Sequence, residues 1–142
     1  MILNGFPFVS PVAIMTQASH RLGRQGEKIA HAILRQKGFR IEAVNWRAGQ
    51  LGEIDLVAYH PQRKLLAFVE VKTRKGDMFG VPGESVHGAK QAKLLALGEA
   101  YLGLHPQEPD TTIRFDVVGV LFPGGGKPAE IAHLENAFGD FG

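Results

Sequence analysis

Cysteine is absent from this sequence of 142 residues, which excludes disulfide scaffolds, thiolate zinc sites, iron–sulfur clusters and cysteine nucleophiles. The six histidines show no paired spacing of the kind that zinc sites use. No G-x-S-x-G segment is present, so a serine hydrolase has no support. The GGGKP segment lacks the leading glycine spacing and the Ser/Thr of a phosphate-binding loop, and we interpret it as a turn.

Charge is missing from the beginning of the chain, and long apolar runs are missing throughout. Residues 1–20 contain no Lys, Arg, Asp or Glu, and Pro7 and Pro11 interrupt their apolar run, so they do not resemble a signal peptide. We interpret residues 1–20 as a flexible apolar arm, with Met15 as an alternative start of translation. A membrane-spanning helix needs about 18 apolar residues in a row, and no stretch of the sequence approaches that length. We therefore expect a cytoplasmic protein without a membrane partner.

The distribution of charge is more informative than its total. The formal net charge of +2 gives no global sign of a polyanionic partner. Residues 21–101, however, contain 14 basic and 8 acidic residues, whereas residues 102–142 contain 2 basic and 6 acidic residues. The middle of the chain is therefore basic, which is compatible with a face that binds a polyanion such as DNA.

The pattern of apolar residues predicts one α/β domain over residues 21–138, followed by a tail of residues 139–142. Apolar residues at helical spacing predict a first helix that begins near Arg21 and ends before Gly38. The further predicted elements are Phe39–Trp46 (strand), Ile54–Tyr59 (strand), Leu65–Lys72 (strand), Ser85–Leu102 (helix), Ile113–Phe122 (strand) and Glu130–Leu134 (edge strand). The order α-β-β-β-α-β, with the edge strand as a last addition, is typical of a mixed β-sheet flanked by helices.

Ionisable residues gather on the hairpin predicted from the second and third strands. Glu70 and Lys72 are two residues apart and so share one face of a strand. A turn at residues 60–64 places Asp55 opposite Glu70, where two carboxylates repel each other unless a cation intervenes. Such a pair suits Mg²⁺ and a hydrolytic site in which Lys72 orients the nucleophile. The alternative is a solvated strand edge, but the apolar residues around the pair make an unpaired charge there costly.

Two further groups of polar residues have both a functional and a plain structural interpretation. Glu27 lies at the edge of the apolar stripe of the first helix, where it either points towards the core side or extends to solvent. A basic stripe on the second helix, together with residues just after the third strand, either binds phosphates or forms an ordinary solvated surface. Its members are Arg74, Lys75, His87, Lys90, Gln91 and Lys93.

The segments GEIDLVA (52–58) and FVEVKTR (68–74) resemble the D-(x)n-E-x-K core of the PD-(D/E)XK nuclease superfamily. Together with Gly26-Glu27, RFDVVGV and the terminal HLENAF, they make nearly all of the chain after the arm similar to the YraN-like bacterial proteins. Those proteins are usually described as predicted endonucleases distantly similar to archaeal Holliday-junction resolvases. The resemblance implies a restriction-endonuclease-like fold and a nuclease that uses Mg²⁺ or Mn²⁺.

The resemblance also implies roles for individual residues. The catalytic residues that it implies are Glu27, Asp55, Glu70 and Lys72. Asp55 and Glu70 are then the metal ligands, and Lys72 is the catalytic lysine. Glu27 takes the place of a helix-borne carboxylate that resolvase-like proteins add to the site, where it is a further candidate ligand. The backbone carbonyl of Val71 is another.

We expect a metal-dependent endonuclease that hydrolyses phosphodiester bonds in DNA, with branched or structured DNA as one substrate class. Junction-cutting relatives work as two-fold dimers, so both a monomer and a homodimer stay open for this chain. One alternative is a nucleic-acid-binding or assembly module that keeps the nuclease fold without useful turnover. Another is a protein-interaction factor anchored by the apolar arm or by Trp46. Asp116 belongs to the RFDVVGV segment, and we interpret it as a structural residue.

Overall fold

The computed structural model describes residues 2–3, 6–7, 17–76 and 88–138. Its helices are α1 (Gln17–Gln36) and α2 (Gly88–Leu104). Its strands are β1 (Ile2–Leu3), β2 (Phe6–Pro7), β3 (Arg40–Arg47), β4 (Glu53–His60), β5 (Leu65–Lys75), β6 (Thr112–Phe122) and β7 (Glu130–Phe138). Neither of the described helices is long and apolar enough to cross a membrane. Most of the predicted arm and the predicted tail of residues 139–142 lie outside the described residues.

Five strands form one mixed sheet in the order β3-β4-β5-β6-β7. The β3–β4, β4–β5 and β6–β7 pairs are antiparallel, whereas β5 and β6 are parallel because α2 forms the crossover between them. β1 and β2 pair separately as a two-stranded antiparallel sheet. The predicted α/β fold with a mixed sheet is confirmed, and the predicted edge strand is present and extends to Phe138.

α1 packs against one face of the sheet through its apolar stripe. Ala30 and Leu34 are fully buried in a cluster that includes Val69 and Val118. After the helix, Gly38 has a φ of 98°, the left-handed conformation that glycine adopts readily at helix ends. The first predicted helix is therefore present, and it begins four residues before Arg21.

α2 packs against the opposite face of the sheet. Its residues Leu97 and Tyr101 are buried in a second cluster with Phe68 of β5. Along β5, even-numbered residues up to Phe68 join this cluster and odd-numbered residues join the α1 cluster. Because side chains alternate along a strand, Glu70 and Lys72 lie on the α2 side.

The β4–β5 hairpin has the register that was predicted from its turn. Residues 61–64 form the turn, and antiparallel pairing continues from it as far as Leu56 opposite Val69. One further step along both strands leads to Asp55 and Glu70. The hairpin therefore brings these two carboxylates to the same end of the strand pair.

Candidate active site

Asp55 is fixed against β5 by the backbone of that strand. The N–H group of Val71 donates a hydrogen bond to Asp55 Oδ2 over 2.7 Å. Burial, together with the nearby charge of Glu70, raises the pKa of Asp55 well above 3.8. The carboxyl group is thus held in one position where its negative charge is unfavourable, and an added cation would relieve that cost.

Glu70 is flanked by two ammonium groups. Its side chain is 11% exposed, and its Oε1 lies 2.7 Å from Lys90 Nζ and 3.6 Å from Lys72 Nζ. Lys72 extends from the same strand, whereas Lys90 extends from the first turn of α2. The packing of α2 on the sheet therefore completes the charge balance around Glu70.

Burial changes the acid–base properties of the two lysines in different ways. The pKa of Lys72 falls to about 8, because burial disfavours its charged form and because Lys90 lies next to it. Burial also acts to lower the pKa of Lys90, but the interactions with Glu70, Lys72 and Asp55 together outweigh it and the pKa is raised. Lys90 is therefore a permanent cation, whereas Lys72 exchanges a proton in the mildly alkaline range.

Glu27 approaches the same region from α1. Burial is the largest cause of its raised pKa, and the negative charges of Glu53 and Glu70 act in the same direction. A hydrogen bond with the Asn45 side chain opposes that shift. The helix-borne carboxylate therefore lies within electrostatic reach of the hairpin carboxylates.

Asn45 is a residue of this region that the sequence did not reveal. It has a φ of 50° in the middle of β3, a left-handed conformation that asparagine tolerates better than most residues. The local signal is an asparagine inside an otherwise strand-like segment. Its contact with Glu27 depends on how α1 lies across the sheet, which residue spacing does not predict.

Gly26 lets α1 approach β5 closely next to Glu27. A Cβ atom at position 26 would collide with Thr73 Oγ1 and would lie 3.3 Å from Thr73 Cβ. Gly26 itself is buried at this contact. The missing side chain thus sets the distance between α1 and the sheet, and with it the position of Glu27.

We expect Gly26→Ala to lower the free energy of unfolding by about 1–3 kcal/mol, as overpacking of an interior contact does. Denaturant titration measures this loss. Gly23→Ala is the matched control, because a Cβ there meets nothing within 4 Å and alanine favours helix. Adding Thr73→Ala to Gly26→Ala should recover part of the lost stability. A Gly26→Ala protein as stable as the parent would contradict this account of the contact.

The oxygen donors of the site suit a hard divalent cation. Within residues 17–76 and 88–138, no three histidine, aspartate or glutamate side chains converge closely enough to hold a metal ion. Mg²⁺ needs only one or two carboxylates from the protein, because water and phosphate oxygens complete its coordination shell. Asp55 and Glu70 meet that requirement by residue type. The roles of Glu27 and of the Val71 carbonyl as further ligands stay predictions.

The residues predicted to bind phosphates lie in different environments. Lys90 belongs to the candidate site, where it pairs with Glu70. Arg74 is only 8% exposed, and burial lowers its pKa; its contact with phosphates stays a prediction. The remaining members are Lys75 and Lys93, which are exposed, Gln91, which is partly exposed, and His87, which lies outside the described residues.

Comparison with known sequences assigns the chain to a family. A family model described as uncharacterised protein family UPF0102 matches residues 26–120. The chain belongs to the UPF0102 family. UPF0102 proteins are 46% identical over 118 residues in Nocardia farcinica (82% of this chain, 88% of the relative) and 40% identical over 116 residues in Desulforamulus reducens (82% and 93%). Another, from Roseiflexus castenholzii, is 39% identical over 123 residues (87% and 97%).

The UPF0102 match confirms the predicted YraN-like resemblance and covers the candidate site. It begins at Gly26, directly before Glu27, and extends to Val120 in β6. The β4–β5 hairpin and α2 both lie within it. The part of the chain that defines the family is therefore the part that assembles the carboxylates and lysines described above.

Proposed function

We propose that this UPF0102 protein is a metal-dependent endonuclease that hydrolyses phosphodiester bonds in DNA, including branched or structured DNA. The observation that carries the proposal is the meeting of Asp55, Glu70 and Lys72 at one end of the β4–β5 hairpin. The raised pKa of Asp55 means that this carboxylate pair destabilises the fold at neutral pH. Catalytic sites frequently contain a pair of carboxyl groups whose ionisation is unfavourable, next to a lysine of lowered pKa.

Mg²⁺ or Mn²⁺ is the cofactor that the donor set favours. Asp55 and Glu70 would hold it, with the Val71 carbonyl and the Glu27 carboxylate as further donors. Carboxylate and carbonyl oxygens are the ligands that hard divalent cations prefer, and a cation would offset the repulsion between the two acids. When bound, such a cation supplies Lewis-acid polarisation of a phosphoryl oxygen.

Lys72 is the residue of this chain best placed to act directly on the substrate. As an ammonium ion, its Nζ donates hydrogen bonds to a phosphate oxygen and offsets the negative charge that develops there. Its Nζ also orients the attacking water, whose oxygen bonds to phosphorus while the bond from phosphorus to the leaving sugar oxygen breaks. Because the pKa of Lys72 is about 8, part of the population holds a neutral amine at mildly alkaline pH. That amine takes up the proton of the attacking water, and the ammonium ion so formed returns a proton to the leaving sugar oxygen.

The charge of the surrounding chain favours a polyanionic substrate. Residues 21–101 hold 14 basic and 8 acidic residues, a net charge of +6. Attraction to the phosphate backbone releases counterions and therefore weakens as the salt concentration rises. We expect both binding and cleavage to be strongest at low ionic strength.

A cleavage assay with the full chain tests the proposal. Linear duplex, single-stranded and four-way-junction DNA are incubated with Mg²⁺ or Mn²⁺, and the same mixtures with EDTA are the control. We expect product only in the presence of the metal. No product from any of the three substrates with either metal would contradict an endonuclease.

One observation favours a second candidate, a nucleic-acid-binding or assembly module with a nuclease fold and no useful turnover. Lys90 Nζ lies 2.7 Å from Glu70 Oε1, so an ammonium ion already neutralises a predicted metal ligand. Such a module would bind DNA equally well with EDTA and would give no product with any divalent metal. The assay above therefore separates the two candidates.

A further inference from the structure

A groove next to the candidate site runs between α1 and the edge strand β3. Its volume is about 410 Å³, within the range of about 300–1,000 Å³ that is usual for ligand sites. The residues that line this α1–β3 groove are Arg24, Glu27, Lys28, His31, Val44, Asn45 and Leu56. Glu27 lines the groove, and the charge of Glu70 acts on its pKa, so the groove borders the candidate site at Glu27.

The α1 wall of the groove holds more basic than acidic side chains, because three basic side chains line it beside Glu27. Arg24, Lys28 and His31 follow one another at i, i+4 and i+7, so they lie on one face of the helix. Arg24 and Lys28 are exposed and form no ion pair among the residues that the structure describes. The rise from Arg24 to His31 is about 10 Å, a length over which a nucleic-acid strand presents two or three phosphates.

The β3 wall of the groove has a different character. Val44 is 50% exposed although it is apolar, and the neighbouring Asn45 contributes an amide. A cationic wall facing an apolar and amide wall matches a polynucleotide strand, which carries phosphates along one side and bases along the other. The two walls together therefore indicate a strand rather than an isolated anion.

Two other occupants fit the groove less well. Residues 1–20 contain no Asp or Glu, so the apolar arm of the same chain has no carboxylate to neutralise Arg24 and Lys28. A duplex carries two paired strands whose bases face each other, and a groove of about 410 Å³ admits only one. The charge and the size of the groove thus favour an unpaired strand.

We propose that the α1–β3 groove binds a single-stranded segment of nucleic acid that flanks the phosphate held at the candidate site. The inference rests on the proposed nuclease function and names its substrate form, a bond next to an unpaired stretch. The phosphates of that stretch contact Arg24, Lys28 and His31. Its bases contact Val44 and Asn45.

Fluorescence anisotropy with a short labelled oligothymidylate, measured in EDTA, separates binding from cleavage. We expect Arg24→Gln/Lys28→Gln to weaken binding at least about tenfold at low salt. The slope of log K against log salt should shrink by about 1.4, because each phosphate contact to a single strand contributes about 0.7. Arg63→Gln/Lys127→Gln is the matched control, since it removes the same two charges from exposed positions outside the groove. A DNA hairpin of equal charge should bind the parent more weakly than the oligothymidylate.

Equal losses in the two double variants would overturn the groove assignment, because the attraction would then depend on net charge alone. If the DNA hairpin binds as tightly as the oligothymidylate, the groove assignment is also overturned. Thymidine monophosphate that competes equally well at the same nucleotide concentration would overturn it too. Groove-dependent binding by a protein that cuts no DNA would support the groove and contradict the nuclease. If the protein cuts DNA but Arg24→Gln/Lys28→Gln leaves its binding of the single strand unchanged, the groove assignment is contradicted and the nuclease proposal is not.

Discussion

Lys72→Met will reduce metal-dependent cleavage of DNA by at least about 100-fold, the usual effect of removing a group that stabilises developing charge. Methionine keeps the length of the side chain and removes the ammonium ion. The fold should be preserved, because burial already disfavours the charged form of Lys72 and lowers its pKa to about 8. Cleavage rates measure the loss of activity, and thermal denaturation of the same protein shows whether the fold is preserved.

Lys64→Met is the matched control for this loss. Lys64 lies in the β4–β5 turn, and its Nζ pairs with Asp110 over 2.6 Å on the exposed surface. An exposed ion pair contributes less than about 1 kcal/mol, so Lys64→Met should cut DNA like the parent. Glu70→Gln, tested as a separate variant, should lose activity as Lys72→Met does. Parental cleavage by Lys72→Met, or an equal loss in Lys64→Met, would contradict the assignment of Lys72.

Asp116→Ala will lower the free energy of unfolding by about 3–5 kcal/mol, because it removes the buried carboxylate that pairs with the buried Arg114. Asp116 is fully buried and accepts hydrogen bonds from Arg114 Nε at 2.9 Å and Arg114 Nη2 at 2.8 Å. It also accepts them from His133 Nε2 at 2.8 Å and from the backbone N–H of Asn136 at 3.0 Å. These bonds connect β6 to β7, so the structure supports the interpretation of Asp116 as a structural residue. Denaturant titration of the variant measures the loss.

Glu135→Ala is the control for the Asp116 prediction. Glu135 Oε1 pairs with the same guanidinium, 3.0 Å from Arg114 Nη1, but its side chain is 46% exposed. Its removal should cost less than about 1 kcal/mol. An effect of Asp116→Ala no larger than that of Glu135→Ala would show that the buried network is not a main source of stability.

The Asp116 network also sets a pH dependence. Burial acts to raise the pKa of Asp116, but hydrogen bonds from His133, Arg114 and the Asn136 backbone outweigh it and lower the pKa below 3.8. A lowered pKa stabilises the fold above the pKa of the unfolded chain, and this contribution is lost as the pH falls through the folded value. The stability difference between the parent and Asp116→Asn should therefore be largest near neutral pH. It should shrink below about pH 4, and a difference that grows in acid would contradict this assignment.

The hairpin part of the candidate site follows from the sequence, because its causes are local. Alternation along a strand puts Glu70 and Lys72 on one face, and a turn of fixed position sets the register that leads to Asp55. The structure has that register from the turn to Leu56 opposite Val69. Local pattern was therefore sufficient to bring the two carboxylates to one end of the hairpin.

The remaining parts depend on how helices dock on the sheet, which residue spacing does not encode. Lys90 was predicted only as a member of a basic stripe, yet the packing of α2 brings its Nζ to Glu70. Asn45 gave no functional signal, because its contact with Glu27 joins a helix to a strand. In each case the deciding contact is long-range in sequence.

The proposed nuclease depends on divalent-cation binding by Asp55 and Glu70, which anomalous diffraction from crystals soaked in Mn²⁺ detects. We expect one anomalous peak within coordination distance of Asp55 and Glu70 in the parent, and no peak there in Glu70→Gln. We also expect Lys90 Nζ to move away from Glu70 Oε1 when the cation binds. Mn²⁺ elsewhere in the crystal but none at these carboxylates, with Lys90 still paired to Glu70, would show that Asp55 and Glu70 do not form a metal site.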